Sequence, residues 1–522
     1  MNQNNISAAE LFQRVRELLM LPELEPQTRN KMMHDTLILC CHEGVKDTKQ
    51  AFGNLFSQVD YLCKARGIKV ADKIAIQTMR RHSNSQEPLS GEDLKYDARA
   101  LALFISAVFG VDVPHELNVL IPHTPRPYQK GLEINNRRIR CIVKNWDGDF
   151  IRVDIDQDAD EEEYLVQLKD EENHIDHTYL WDILKEGMQL NLLDCQVKQP
   201  IITPRLIVVE PDYLVDISSI ATCFTAFGHH PMLYLLNLMK PRANTQATLL
   251  GNFAGAALDD IINSHGKYQM NETVKTNFRE KALEFCTCPW FDPKKFYTDA
   301  SLQAFNLQQV VDILFPRTAS QAQMTALRGE SLYDRKKAIL EPSFVCEALG
   351  IQGRVDLMTT DCKLLVEQKS GRNMNIENHQ VDPAYHSYQL EPHYVQLLLY
   401  YGVLQHNFKL SNDRVNIRLL YSKYRPQDGL MVVAYYQKLF KEAIQYRNQL
   451  VAASFEIAKE GFEHALNEFT PEVLNVAGTQ DFFYNKYLKP QIEAITKPLH
   501  TLSSLEEGLL LSHDDRSYYG NR

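Results

Sequence analysis

The residues with the clearest capacity for chemistry are an aspartate and, eleven positions further on, a glutamate and a lysine separated by one residue. They are Asp356, Glu367 and Lys369. The segments GRVDLM (353–358) and KLLVEQKSG (363–371) have the pattern of short β-strands bounded by turn residues. Alternate side chains of a strand share a face, so Glu367 and Lys369 are expected to point the same way. A hairpin would bring Asp356 beside them.

This grouping predicts a metal site next to a fixed positive charge. Two carboxylates that converge on one point bind a hard divalent cation such as Mg²⁺, which prefers oxygen ligands. An ammonium group beside that cation orients or activates water, or stabilises charge that develops on a phosphate. The arrangement therefore suits metal-assisted hydrolysis of a phosphodiester. Charged residues on a solvated hairpin would give the same spacing, and this alternative stays open on these three residues alone.

A second pattern follows the hairpin. The apolar segment EPHYVQLLLYYGVL (391–404) predicts a helix that carries Gln396 and Tyr400 on one face. The order Gly-Arg-Val-Asp, Glu-x-Lys, Gln-x-x-x-Tyr resembles the RecB-like branch of the PD-(D/E)xK nucleases. It is most similar to the nuclease domain of the replication nuclease-helicases that trim Okazaki flaps, and to the CRISPR adaptation exonucleases. The resemblance covers about residues 205–460.

The resemblance implies a role for each matching residue. Asp356 and Glu367 would bind Mg²⁺ or Mn²⁺ with the backbone carbonyl of Gln368, and Lys369 would position the attacking water. Gln396 and Tyr400 would support the site or contact DNA, while packing inside the helix core is an equal alternative. The segment ILEPSFVCEALGIQGRVD (339–356) also resembles this group and adds Glu341 as a weaker candidate for the metal shell.

The chain departs from the family pattern in its first motif. The segment TLLGNFAGAALDDIIN (248–263) resembles Gly-x-x-x-His on an amphipathic helix, but Gly255 stands at the histidine position. Asp259 lies one helical turn further on the same face and is the candidate to reach the metal instead. A surface carboxylate is the alternative for Asp259.

The cysteines bear on a second cofactor. Many relatives hold an iron–sulfur cluster with one cysteine before the nuclease core and three after the Gln-x-x-x-Tyr helix. Cys223 would suit the first position, but no cysteine follows Cys362. The ten cysteines form no C-x-x-C pair, which is consistent with reduced thiols. We therefore expect no iron–sulfur cluster.

The purified protein is accordingly expected to be colourless, without a visible charge-transfer band and without stoichiometric iron or sulfide. The reason is the ligand count, because such clusters ordinarily need four cysteine thiolates. Absorption spectroscopy and iron analysis check this expectation. A brown protein would contradict it and would show that other thiolates, such as Cys286 and Cys288, assemble a cluster.

Composition limits the partners. A net charge of −11 argues against a broad surface that coats DNA, so we expect only a local basic channel. The candidates for that channel are Arg354, Lys369, Arg372, Arg418, Lys423 and Arg425.

No apolar run approaches eighteen residues and no secretory signal is visible, which predicts a cytoplasmic protein with no membrane partner. No P-loop motif occurs, so no nucleotide cofactor is expected and a helicase motor would lie elsewhere, in cis or in trans.

The elements that must position these residues predict an α/β (α+β) multidomain protein, because 522 residues exceed one ordinary core. Helical patterns such as those at 7–19 and 94–110 predict a helical domain at 1–120. Alternating runs at 137–146, 149–155, 188–197 and 204–211, with a short helix at 178–187, predict a small β-barrel at 131–212. This barrel is expected to be structural or of the oligonucleotide-binding type, in which Trp146, Phe150 and Arg152 would contact single strands.

The remaining two parts complete the predicted architecture. Residues 213–465 are expected to form a PD-(D/E)xK core with a central mixed sheet flanked by helices, and residues 466–522 a helical extension or linker. The predicted function is Mg²⁺-dependent hydrolysis of DNA at single-stranded ends or flaps in replication or repair. The alternative is a catalytically silent nucleic-acid-binding or scaffold subunit of a helicase–nuclease complex. The missing motif histidine and the acidic charge favour that alternative, whereas the intact Asp, Glu and Lys set favours an enzyme.

Overall fold

A computed structural model describes most of residues 6–461. The gaps within that range are residues 22, 49, 51, 86–87, 127–135, 157–162, 226–227, 240–243, 265–267, 384 and 411–414, and only residues 489, 490 and 493 are described beyond it. The predicted extension at 466–522 therefore lies almost wholly outside the described residues. The chain divides into two compact units, Met1–Tyr213 with Ser454–Lys459, and Leu214–Ala453 with Glu460–Arg522.

The first unit begins with helices that pack around one apolar core. They are α1 (Ala8–Leu19), α2 (Pro26–Val45), α3 (Leu55–Ala65), α4 (Val70–His82), α5 (Gly91–Phe109) and α6 (His115–Asn118). Local signals fix the helix ends: the Ser90 and Asp93 side chains form a capping box at the start of α5, and Gly110 ends it with φ of 67°. The helices predicted at 7–19 and 94–110 are confirmed.

A sheet follows in the same unit. Its strands, together with a separate two-stranded ladder of β4 and β5, are β1 (Arg138–Asp147), β2 (Phe150–Ile155), β3 (Tyr164–Gln167), β4 (Lys169–Asp170), β5 (Ile175–Asp176), β6 (Gln189–Leu193), β7 (Gln196–Lys198), β8 (Ile201–Thr203) and β9 (Leu206–Val209). The seven strands lie in the order β7-β8-β3-β2-β1-β6-β9. The helix predicted at 178–187 is a single 3₁₀ turn, Thr178–Asp182.

The predicted closed barrel is wrong. Closure requires the first and last strands of the order to pair, but β7 and β9 are the two ends of the sheet in the described residues. Alternation in the sequence specifies which face of each strand is buried, and it does not specify whether the two edges meet. Trp146 packs against the apolar core of this sheet, and Arg152 forms ion pairs with Asp147 and Glu163.

The other α-helices of the described residues lie in the second unit, except that Ser454–Lys459, near the end of the last one, are assigned to the first unit. These are α7 (Ile217–Ala221), α8 (Met232–Met239), α9 (Gln246–Asn263), α10 (Met270–Glu280), α11 (Ala282–Cys286), α12 (Pro293–Leu314), α13 (Ala319–Leu327), α14 (Met374–Glu377), α15 (Glu391–Phe408), α16 (Pro426–Gly429) and α17 (Gln437–Glu460). The helix predicted at 391–404 is α15, which continues one turn beyond the predicted end. None of the helices in the described residues combines the length and apolarity needed to cross a membrane.

The strands of the second unit form three sheets. They are β10 (Val215–Asp216), β11 (Phe224–Thr225), β12 (Gly228–His229), β13 (Ala338–Leu340), β14 (Ser343–Cys346), β15 (Ile351–Arg354), β16 (Leu357–Thr359), β17 (Leu364–Lys369), β18 (Asn416–Tyr421) and β19 (Leu430–Val432). The largest sheet has the order β13-β16-β17-β18-β19, the second β10-β15-β14, and the third β11-β12. The largest sheet is mixed, because β17 and β18 are parallel while its other pairs are antiparallel.

Helices cover both faces of this mixed sheet. Leu364 and Val366 of β17 pack with apolar residues of α9 and α12 in one buried cluster. The alternate residues of β17 point to the opposite face, where Lys369 reaches α15 through Gln396. The predicted α/β class is therefore confirmed. One strand, β17, carries core residues on one face and the predicted chemistry on the other.

Gly402 of α15 offers a stability test of this packing. A Cβ at this position would overlap the ring of Phe440 on α17. Gly402→Ala is therefore expected to lower the free energy of unfolding by about 1–3 kcal/mol, in spite of the better helix propensity of alanine. Urea denaturation followed by circular dichroism measures the change.

Gly255→Ala is the matched control on α9. A Cβ at Gly255 meets nothing within 4 Å, so this change should leave stability unchanged or raise it by about 0.5–1 kcal/mol. If Gly402→Ala were as stable as wild type, the Phe440 ring would be free to move aside and the α15–α17 contact would be looser than described.

Candidate active site

The predicted hairpin is present as β16 and β17. Leu357 pairs with Val366 and Met358 with Leu365, so the next position of the same register sets Asp356 opposite Glu367. The backbone N–H of Gln368 donates to Oδ2 of Asp356 at 2.6 Å. The hairpin thus brings the aspartate beside the Glu-x-Lys segment, as the sequence predicts.

The segment GRVDLM, however, is not one strand. β15 ends at Arg354 in the three-stranded sheet, and β16 begins at Leu357 in the five-stranded sheet. Asp356 lies at the crossing between the two sheets, where its carbonyl accepts from the N–H of Glu341 at 3.0 Å. The crossing explains why a carboxylate stands at this point, since the residue is not required to fill an apolar position in either sheet.

Glu367 and Lys369 share one face of β17. The Lys369 ammonium donates to Oε1 of Glu367 at 2.8 Å and to Oε1 of Gln396 at 2.8 Å. Glu367 is only 2% exposed, and its other carboxylate oxygen, Oε2, has no hydrogen-bond partner in the described part of the protein. A buried carboxylate oxygen without a partner is costly unless a cation or donor binds there.

The pKa values of the two carboxyls, Glu367 and Asp356, are both raised. Burial, with the nearby charge of Asp356, raises the pKa of Glu367 to about 8, although the Lys369 ammonium opposes the shift. Burial also raises the pKa of Asp356, against the hydrogen bond from the Gln368 N–H. A buried carboxyl and a half-buried one that resist simultaneous ionisation are stabilised as carboxylates by a positive charge placed between them.

A divalent cation fits these donors. Both side chains offer oxygen, the ligand type that Mg²⁺ and Mn²⁺ prefer, and one oxygen is unpaired. Across the described residues, no group of three or more His, Cys, Asp and Glu side chains is spaced to hold a metal. Further ligands would therefore come from the backbone, where the Gln368 carbonyl is the candidate, and from water, which Mg²⁺ commonly retains.

The structure makes Tyr400 a support of the crossing between the sheets. Its hydroxyl donates to the carbonyl of Arg354 at 2.6 Å, and the side chain is buried. Gly353 permits this contact, because a Cβ there would lie 2.9 Å from the Tyr400 ring. Gln396, one turn earlier on α15, holds the ammonium of Lys369. Tyr400 therefore fixes the backbone that leads into Asp356, and Gln396 fixes the lysine that follows Glu367.

Three of the basic residues predicted to line a DNA channel form ion pairs with carboxylates. Arg354 is exposed and forms an ion pair with Glu341 at 3.0 Å. Arg372 and Lys423 both pair with Glu377. Arg425 is exposed.

The prediction that Arg418 lines a surface channel is wrong. Its side chain is only 2% exposed and bonds to Oε2 of Glu330 at 2.5 Å. A buried guanidinium paired with a carboxylate is structural, because its charge is not available to a ligand at the surface.

The α9 helix brings Asp259 into the same electrostatic neighbourhood. Burial, together with the charges of Glu341 and Asp356, raises the pKa of Asp259 to about 7. At Gly255, one turn earlier, an added Cβ would meet open space. A side chain at position 255 would thus have room, and Asp259 on the same helix is close enough to Asp356 for their charges to interact.

Several supporting residues carry no recognisable signal in the sequence. On the reverse face of β17, the Gln368 amide donates to Oγ of Ser422 at 2.7 Å, and Ser422 donates to Gln303 at 2.5 Å. Gln303 in turn donates to the Ser370 carbonyl at 3.0 Å. These bonds fix the strand that carries Glu367. The only hint is a polar residue at a core position of α12.

Two histidines, one on α15 and one beside it, make contacts that the sequence does not reveal. His393 is buried, which together with the Lys369 charge lowers its pKa to about 4, and its Nδ1 lies 3.0 Å from the Tyr421 hydroxyl. His229 lies between Glu391 and Glu442, at 2.6 and 2.7 Å. Burial opposes the charged form of His229, but these two hydrogen bonds raise its pKa to about 9. The resulting imidazolium connects the starts of α15 and α17.

Comparison with known proteins adds no further assignment: no family model matches the chain, and no curated protein sequence is significantly similar to it.

Proposed function

We propose that this chain is a metal-dependent DNA nuclease of the RecB-like PD-(D/E)xK type. It would hydrolyse phosphodiester bonds at single-stranded ends or flaps during replication or repair. The observation that supports this function best is the buried carboxylate of Glu367, with one oxygen on Lys369 and the other unpaired, beside Asp356. A cation bound to that oxygen would offset the cost of burying it without a partner.

The chain's own residues divide the work. Asp356 and Glu367 would hold Mg²⁺ or Mn²⁺, with the Gln368 carbonyl as a further ligand. When bound, the cation supplies positive charge to the phosphate and lowers the pKa of water. Lys369 holds its ammonium on the same face as the Glu367 carboxylate, where it orients a water molecule toward phosphorus and balances developing negative charge. Gln396 keeps that ammonium in place through its 2.8 Å contact.

The second group of residues maintains this geometry. Tyr400 fixes the backbone before Asp356, and the Ser422 and Gln303 contacts fix the reverse face of β17. Glu341 and Arg354 form an exposed pair at the edge of the site, where Arg354 is the candidate for a phosphate contact. Asp259 is the candidate that replaces the family histidine. A helicase motor, in cis or in trans, would supply single strands to this site.

The test is an assay on flap DNA labelled at the 5′ or the 3′ end, with Mg²⁺, with Mn²⁺ and with chelator. Degradation that requires the metal is expected on single-stranded arms, and the label that is released gives the polarity. Absence of cleavage on every DNA with either metal would reject the nuclease.

That negative result would favour the second candidate function, a silent nucleic-acid-binding or scaffold subunit of a helicase–nuclease complex. Two observations support this candidate: Gly255 at the histidine position, and the absence of a third side-chain ligand group within the described ranges. Co-purification with a helicase, together with DNA binding in the absence of cleavage, would identify it.

A further inference from the structure

Trp290 combines two features that are unfavourable for a tryptophan. Trp290 is 98% exposed, so its indole contributes almost no buried apolar area to folding. Its backbone φ is 57°, in the left-handed region that bulky residues rarely adopt. Residues held in strained backbone conformations cluster at functional sites, where the surrounding structure imposes the strain. Trp290 therefore requires an explanation other than stability.

The chain around Trp290 is firmly anchored. The next residue, Phe291, packs with Phe285 and Phe296 at ring-centroid distances of 5.2 and 5.5 Å. Asp292 then begins α12 by accepting from the N–H groups of Lys294 and Lys295, each at 3.0 Å. An indole presented from such a base loses little conformational freedom when it binds a ligand.

This anchored segment adjoins the N-terminal end of α9. Gln246 accepts from the N–H of Asp292 at 2.9 Å, and Asn244 donates to Thr287 at 2.7 Å. Gly251 lies five residues after Gln246, about 7.5 Å along the helix axis. A Cβ at Gly251 would be 3.2 Å from Oγ of Ser370, the residue that follows Lys369. Trp290 is thus connected to the end of β17 by one short stretch of α9.

We infer that Trp290 stacks on a base of single-stranded DNA whose backbone passes along α9 to the candidate active site. The inference rests on the proposed function and adds the residue that distinguishes a single strand from a duplex. An exposed ring stacks on any base whose face is free, and in a duplex the neighbouring base pairs cover those faces. The face of α9 on this path carries glycines at 251 and 255, and a Cβ at Gly255 would meet open space.

The local charges favour contact with a base rather than with phosphate. Lys295 is paired with Asp299 at 2.6 Å, and the carboxylate of Asp292 caps α12 beside Trp290. Positive charge is therefore balanced around the indole. Recognition by stacking, which does not depend on sequence or on net charge, is what such a site offers.

The test measures DNA binding by fluorescence anisotropy, in chelator, so that no cleavage occurs. The probes are a labelled single strand of about sixteen nucleotides, the upper end of the range for one binding site, and a blunt duplex of the same length. Trp290→Ala is expected to weaken single-strand binding about 5- to 150-fold, the loss of one stacked base, and to leave duplex binding unchanged. Trp290→Phe should retain part of the affinity. Trp181→Ala is the matched control, since Trp181 is also exposed, at 46%, but lies in the first unit.

Three results would overturn the inference: unchanged single-strand binding by Trp290→Ala, equal losses for the single strand and the duplex, or the same loss in Trp181→Ala. The outcome is separable from that of the proposed function. A wild-type protein that cleaves DNA while Trp290→Ala binds normally removes only the stacking role. A wild-type protein that binds single strands through Trp290 without cleaving them supports the stacking role and rejects the nuclease.

Discussion

Lys369→Ala is expected to lower the rate of DNA cleavage about 10²–10³-fold, the effect of removing one preorganised electrostatic group from a transition state. The Lys369 ammonium is positioned by Glu367 and Gln396, at 2.8 Å each, and neither contact is needed to hold the hairpin together. Single-turnover cleavage of a labelled flap in Mg²⁺ measures the change. Lys369→Arg should restore little activity, because a planar guanidinium does not replace a compact ammonium beside a water.

Folding and metal affinity should be nearly unchanged in Lys369→Ala. Affinity is best compared at about pH 8.5, because loss of the ammonium makes the buried Glu367 carboxyl harder to ionise at lower pH. Lys337→Ala is the control, because Lys337 pairs with Asp361 at the turn of the same hairpin, and it should cleave at close to the wild-type rate. Wild-type activity in Lys369→Ala would mean that the activity does not come from this site.

Glu367→Ala is expected to weaken Mn²⁺ binding by more than about 10–100-fold. A loss of about 10–100-fold is typical when a residue that only hydrogen-bonds to a metal ligand is removed, and Glu367 is a ligand itself. Calorimetric titration of the metal-free protein measures it. Glu272→Ala serves as the control, because Glu272 is a surface carboxylate paired with Lys275 on α10. Unchanged Mn²⁺ binding in Glu367→Ala would reject the metal site, since coordination cannot survive the loss of a ligand without a cost in affinity.

The same titration has a predictable pH dependence. The pKa of Glu367 is raised to about 8, so below that pH the metal must displace a proton before the carboxylate can bind it. The affinity of the wild type should therefore fall by about tenfold per pH unit as the pH decreases from 8 to 6. A flat profile over that range would show that Glu367 is already ionised and that burial does not control its proton.

Local patterns predicted the central geometry. A period of two in KLLVEQKSG placed Glu367 and Lys369 together, and a turn between two short apolar runs placed Asp356 opposite them. The Gln-x-x-x-Tyr spacing predicted a helix with both side chains on one face, and α15 directs Gln396 to Lys369. Each of these relations involves residues that are close in the chain or fixed by one periodicity.

Relations between distant segments were not predictable. The exchange of sheets at Val355–Asp356 depends on which strands pair with β15 and β16, and nothing in GRVDLM encodes it. β3 and β8 were missed, since runs of three or four residues carry little periodicity. Arg418 has the same pattern as an exposed strand residue, and only the position of Glu330 reveals that its charge is buried. The open edges of the first sheet likewise depend on pairing across the whole unit.

The contact between Lys369 and Glu367 gives the proposed enzyme a built-in counter-ion. Without a metal, the ammonium offsets part of the cost of burying the Glu367 carboxyl, although burial still raises its pKa to about 8. The fold around β17 therefore does not require Mg²⁺ to balance a charge at Glu367. A cation held by the unpaired Oε2 would share the Glu367 carboxylate with the ammonium on Oε1. The supply of divalent cation alone would then switch the proposed nuclease on and off.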